Sequence, residues 1–140
     1  GLFILVGALV ETGVIRMLAA EAIKATGGDV EATAILILWM SAIISSVLDN
    51  IPFVATMIPL IQNMGAMGIT NLEPLWWSLA LGACLGGNGT LIGASANVVV
   101  ASMSAQRGRP ISFIGFMKIA LPIMTFTIII SNIYVCIRYL

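Results

Sequence analysis

Two short stretches concentrate the side chains that could hold a charged solute. The first is Asp49-Asn50; the second is Gly86-Gly87-Asn88-Gly89-Thr90, with Ser95 and Asn97 close behind. Asp49 is the only ionisable carboxylate between Ala32 and Leu72, and Ser45 and Ser46 stand just before it. Asn50, Asn88, Thr90, Ser95 and Asn97 offer amides and hydroxyls, and an unwound glycine run offers backbone carbonyls. Hard cations take oxygen ligands, so Asp49, Asn50, Asn88, Thr90 and Asn97 form a candidate Na+ set. The chemistry indicated is binding rather than bond-making. The sequence has no histidine, which removes imidazole metal ligands, a Ser-His triad and a histidine proton relay from this segment. A single carboxylate without a paired acid or a nucleophile–base pair argues against an enzyme. Cys84 and Cys136 lack metal-ligand spacing and read as ordinary apolar cysteines. No cofactor is expected beyond a coupling Na+ or H+.

These polar groups lie in a greasy chain. Of its 140 residues, 60% are hydrophobic and 9% charged, against about 25% charged in soluble domains. The chain reads as an integral membrane protein, with lipid as its surroundings. Net charge is zero and no basic cluster is present, so nucleic acid is not an expected partner. From Pro74 to Gln106 the only ionisable side chain is Cys84, yet the glycines at its centre are poor helix formers. In hydrocarbon every backbone N–H and C=O needs a partner, so a break at that depth requires protein, water or a ligand to meet it. Such interruptions point to transporter binding sites. An ionised Asp49 at mid-membrane would cost roughly 2.5–3.5 kcal/mol on insertion scales. A following helix N-terminus offsets roughly 0.3–2 kcal/mol, so a bound cation or a proton is the natural complement.

The elements that must position these residues follow in order. Gly1–Val10 reads as the tail of a membrane helix, with no basic region before it, so a signal peptide is not expected and an upstream portion is. Val14–Ala25 carries Arg16, Glu21 and Lys24 among apolar residues, which suits a helix in the interface plane. Asp29 can cap the next helix, Glu31–Leu48, on which Ser41, Ser45 and Asp49 would share one face. Asn50-Ile51-Pro52 stops it, and Ile51–Met64 follows at once. At about 27 and 21 Å both arms are short for a hydrocarbon core of about 30 Å. Residues 31–64 are therefore expected to form a re-entrant hairpin, with two full spans as the competing arrangement. Residues 74–106 read as a broken helix: Pro74–Leu85, a break over Gly86–Gly93, and Ala94–Gln106. Gly82/Gly86 and Gly89/Gly93 have the spacing that admits a close helix neighbour. Trp76-Trp77 suit an interface, and residues 111–139 form a last helix bent at Pro122. Lys and Arg divide evenly between the two sides, and the dense Arg107–Arg109 loop tilts that end toward the cytoplasm.

Gly87–Gly93 loosely matches a dinucleotide fingerprint, but no strand precedes it and no acidic residue follows it. Asn88-Gly89-Thr90 is formally a glycosylation sequon, unusable at membrane depth.

Ser45-Ser46-Val47-Leu48-Asp49-Asn50-Ile51-Pro52-Phe53, the following Ala55-Thr56-Met57-Ile58-Pro59, and Gly82–Val98 closely resemble the C-terminal half of the P-protein branch. That branch lies in the ArsB/NhaD arm of the ion transporter superfamily, with citrate-transporter-like membrane domains. The resemblance runs nearly the whole chain. It implies an all-α polytopic fold of two inverted repeats, with residues 1–140 as the second, Asp49-Asn50 at a hairpin tip and Gly86–Gly93 as an unwound loop. It also implies secondary transport of inorganic or organic anions, or Na+/H+ exchange, with dimers and elevator-like movement in some members. The Asp-Asn-Ile-Pro tip departs from the arsenite-permease and dicarboxylate patterns, which weakens both as expected substrates.

The expectation is half of a secondary active ion transporter in a bacterial or archaeal inner membrane, with the missing N-terminal half as its partner and a homodimer as an option. The alternatives are a channel-like pore or a structural subunit. One observation checks the repeat: the sequence upstream should hold a second Asn-bearing hairpin followed by a Gly-rich break. A full-length sequence lacking both would remove the inverted-repeat reading.

Overall fold

The computed structural model describes residues 1–140, apart from the side chains of Leu2, Phe3 and Val6. Seven helices follow one another: α1 Leu2–Glu11, α2 Val14–Thr26, α3 Val30–Ser45, α4 Asn50–Ala66, α5 Glu73–Gly86, α6 Ser95–Gln106 and α7 Phe113–Tyr139, with no strand among the described residues. Their ends follow local chemistry. Gly27, left-handed at φ +65°, closes α2, and the Asp29 carboxylate accepts from the Ala32 N–H (3.1 Å) at the head of α3. Between the two helices the chain bends by 119°. Pro74 opens α5, and the Ser112 hydroxyl accepts from the Gly115 N–H (3.1 Å) to cap α7.

The seam that organises the bundle lies between α3 and α5. A Cβ on Gly82 would sit 2.5 Å from the Leu38 carbonyl oxygen, and one on Gly86 would run into the Ala42 backbone. Leu38 meets Gly82 and Ala42 meets Gly86, so the two helices run parallel, four residues at a time. The small-residue spacing read from the sequence serves this approach. α7 returns antiparallel to α5: Trp77 near the start of α5 stacks on Tyr139 at the end of α7, with ring centroids 5.5 Å apart. At 27 residues α7 is the one described helix long and apolar enough to cross a membrane unaided, and it runs unbroken through Pro122.

Two expectations change here. α3 ends at Ser45 rather than Leu48, and Ser46–Asp49 is irregular. Ser41 and Ser45 are fully buried while Asp49 is exposed, so the three do not form one polar stripe. The Thr90 hydroxyl takes the Ser46 carbonyl, one of the groups freed where the helix stops. Further, α2 does more than lie along a surface. Its Ile15 and Ala19 are buried in one core with Ile37 of α3, Phe53, Met57 and Ile61 of α4, and Leu75 and Leu79 of α5. The arms α3 and α4 meet near their junction and diverge, and apolar residues of α2 and α5 fill the space between them.

α6 is the exception to this packing. It has no buried residue and packs on no other helix among the described residues.

A methyl group at Gly86 must push α3 away. Gly86→Ala is expected to lower stability by about 1–3 kcal/mol through overpacking, read as a lower thermal midpoint of the full-length protein. Gly7→Ala, inside α1 and with nothing within 4 Å to meet, is the control and should leave the midpoint unchanged or raise it, since alanine favours helix by about 0.5–1 kcal/mol.

Candidate functional site

The end of α3 and the start of α4 form a tip, Ser46–Asp49, and residues Gly87–Ala94 form the break between α5 and α6. Both are held by side chains that the sequence placed at irregular backbone. The Ser45 hydroxyl lies within bonding range of the Ala83 carbonyl of α5 (2.7 Å) and of Asn50 Oδ1 at the head of α4. Across the same gap the Thr90 hydroxyl donates to the Ser46 carbonyl, and it accepts from the Gly93 N–H (3.1 Å). Asn97, on the first turn of α6, donates through its amide nitrogen to the carbonyls of Gly87 (3.1 Å) and Thr90 (3.0 Å). The Thr90 carbonyl also meets the Gly93 N–H (3.4 Å), whereas the Gly87 carbonyl would otherwise be orphaned by the loss of helix, so Asn97 closes the break as a backbone turn would.

Close approach completes the junction. A Cβ on Gly93 would sit 2.7 Å from both the Gly87 and Ser46 carbonyl oxygens, and one on Gly87 would lie 3.1 Å from Asn50 Oδ1. Glycine is required there by space, since neither residue has a positive φ. The tip and the break are thus one structure, with Ser45, Ser46, Asn50, Gly87, Thr90 and Asn97 brought together. Gly86 and Gly89 serve the packing around it, against Ala42 and against Leu121 and Met124 of α7.

Both partners of the Asn97 amide are carbonyls, so its nitrogen faces them and its Oδ1 is left without a protein partner. Asn50 likewise has one end of its amide against the Ser45 hydroxyl and the other end without a protein partner. Asn50 also lines a hollow of about 440 Å³ between α4 and α5, with Val54, Ile58, Leu79 and Ala83 among its walls. One amide end of Asn50 and the Oδ1 of Asn97 therefore stand available beside the junction.

Three candidate residues lie outside this junction. Asp49 is exposed, and its Oδ1 accepts from the Asn50 N–H (2.9 Å) as the N-cap of α4. Asn88 is exposed and lines a different hollow, of about 620 Å³, with Phe116 and Ile119 of α7. Ser95 is exposed and makes no side-chain hydrogen bond. Asn88 follows a helical turn and faces α7 because Gly87 and Gly89 on either side are pressed against the tip and against α7. Sequence reasoning did not single out Gly93 as a site residue, although its spacing from Gly89 was a signal. The Ala83 carbonyl carried none, since every residue has one.

Comparison with known proteins gives this geometry its family. The citrate transporter family model matches residues 1–82. An uncharacterized transporter of Mycobacterium tuberculosis is 50% identical over 141 residues, covering 99% of this chain and 33% of its own length. The 46 kDa membrane protein of Mycobacterium leprae is 44% identical over 142 residues, covering all of this chain and 33% of its own length. The human P protein is 46% identical over 110 residues, covering 77% of this chain and 13% of its own length. The chain thus spans about a third of the mycobacterial relatives. No solved structure matches it. A tip and a break joined inside an apolar helical bundle, the family match over more than half the chain and the transporter relatives together identify this as part of an integral membrane protein of the citrate transporter family.

Proposed function

We propose that this chain forms one wall of a secondary active ion transporter and that the solute binds at the junction of tip and break. The observation that carries the reading is the pairing of Asn50 and Asn97 at that junction, each with one uncommitted amide group. Family membership supports transport over catalysis, and the relatives' greater length puts the working unit beyond these residues.

In this reading the ion sits at the mouth of the junction. Asn97 Oδ1 and break carbonyls supply oxygen ligands to Na+, and Asp49, a short step from Asn50, supplies the countercharge or carries a proton. The uncapped N-terminus of α6, where Ala94 offers no side-chain bond, would favour an anionic solute group. Substrates are small inorganic or organic ions, exchanged against or carried with Na+ or H+, in a bacterial inner membrane. Residues 31–64 act as a re-entrant hairpin. Asn88 and Ser95 contribute only if the mouth closes over the solute.

The test uses the full-length protein in proteoliposomes, with Na+ and pH gradients followed by ion-sensitive dyes and labelled citrate as a candidate solute. Asn97→Ala should raise the half-saturating Na+ on the order of tenfold, through the lost ligand and the orphaned Gly87 carbonyl. An unaltered Na+ response and pH response would count against the junction. Asp49→Asn should abolish gradient-coupled flux with membrane insertion intact; normal coupling would take Asp49 out of the mechanism and leave the amides to act alone.

A further inference from the structure

The end of α6 carries a second polar feature that the transport site does not use. α6 stops in a loop fixed by two backbone bonds, Gly108 N–H to the Ala105 carbonyl (3.0 Å) and Arg109 N–H to the Ser104 carbonyl (3.0 Å), with Gly108 left-handed at φ +76°. This is the helix-ending arrangement that glycine favours. The Ser104 hydroxyl adds a bond to the Arg109 carbonyl (2.5 Å). The loop folds Arg109 back beside Arg107, and the two arginines line a hollow of about 470 Å³ with Val100, Met103 and Ser104. Val100, Met103, Ser104 and Arg107 share one face of the helix by their spacing. Both apolar members are open, Val100 at 60% and Met103 at 52% exposure.

Neither guanidinium has a carboxylate. The ion pair among the described residues is Lys24–Glu21, on α2, and no acidic residue follows Glu73 anywhere in the sequence. Two fixed cations above an apolar helix face thus lack a countercharge from this chain.

Their depth is set by the fold. α6 has 12 residues, about 18 Å of rise, close to half of a hydrocarbon core of about 30 Å. With the break near mid-membrane, the loop arrives at the headgroup level. The opposite level is marked by Trp77 stacked on Tyr139, where aromatic rings gather.

We infer that the Arg107–Arg109 hollow binds an anionic phospholipid, with its phosphate between the two guanidiniums and an acyl chain along Val100 and Met103. Guanidinium pairs recognise phosphate through paired N–H donors, and basic hollows at this level take lipid headgroups. The apolar floor separates a lipid from free phosphate, which would leave Val100 and Met103 bare. The inference rests on the proposed function only for the placement of the break near mid-membrane, and needs no ion bound there.

The experiment titrates the detergent-purified full-length protein with short-chain phosphatidylglycerol, phosphatidylcholine and inorganic phosphate, with bound lipid counted by native mass spectrometry. Phosphatidylglycerol should bind about thirtyfold more tightly than phosphatidylcholine, at about 1 kcal/mol for each of the two basic residues. The Arg107→Gln/Arg109→Gln pair should erase that preference, and Arg138→Gln at the far end of α7 should leave it intact. If the pair does not fold, the single variants decide, each with an expected loss of about fivefold. A preference that survives these changes, or falls equally in Arg138→Gln, overturns the inference. Displacement of phosphatidylglycerol by equimolar inorganic phosphate would reassign the hollow to a free anion and overturn the lipid assignment.

Discussion

Backbone polar groups cannot be left unpaired in hydrocarbon, and the structure of this chain follows from how it meets that demand. Two helices are interrupted, at Ser46–Asp49 and at Gly87–Ala94. Each interruption frees carbonyls, and the other interruption or its flanking side chains bind them. Thr90 takes the Ser46 carbonyl, Ser45 reaches the Ala83 carbonyl, and Asn97 takes those of Gly87 and Thr90.

The glycines make this exchange geometrically feasible. Gly82 and Gly86 bring the α5 backbone against α3, and Gly93 brings the break against the tip. Without van der Waals approach at those points the serine and threonine hydroxyls, the shortest polar side chains, could not span the gap. Packing here is therefore a condition for hydrogen bonding as well as an attraction in its own right.

Much of this was legible in the sequence, and the reasons differ by element. The seven helices stood out because glycine, proline and cap residues punctuate long apolar runs, as at Gly27-Gly28-Asp29 and Glu73-Pro74. Asn50, Thr90 and Asn97 stood out as amides and a hydroxyl in apolar surroundings. The end of α3 was misplaced by three residues because local pattern favours helix through Leu48, while the chain leaves the helix after Ser45 in a turn held by a residue 44 positions away. The same blindness to tertiary partners put Asn88 in the junction, since composition cannot tell which side of a turn faces α7. The burial of Ile15 and Ala19 was hidden for another reason: an amphipathic helix looks alike whether its apolar side meets lipid or protein.

The parallel seam of α3 and α5 constrains how such a protein can work. Prising the tip from the break would sever the Thr90–Ser46 and Ser45–Ala83 bonds and leave the Ser46 carbonyl without a protein partner, at about 1–3 kcal/mol. The tip and the break are therefore held as one unit, and flexure is left to connections such as Gly27-Gly28 and Arg107–Pro110.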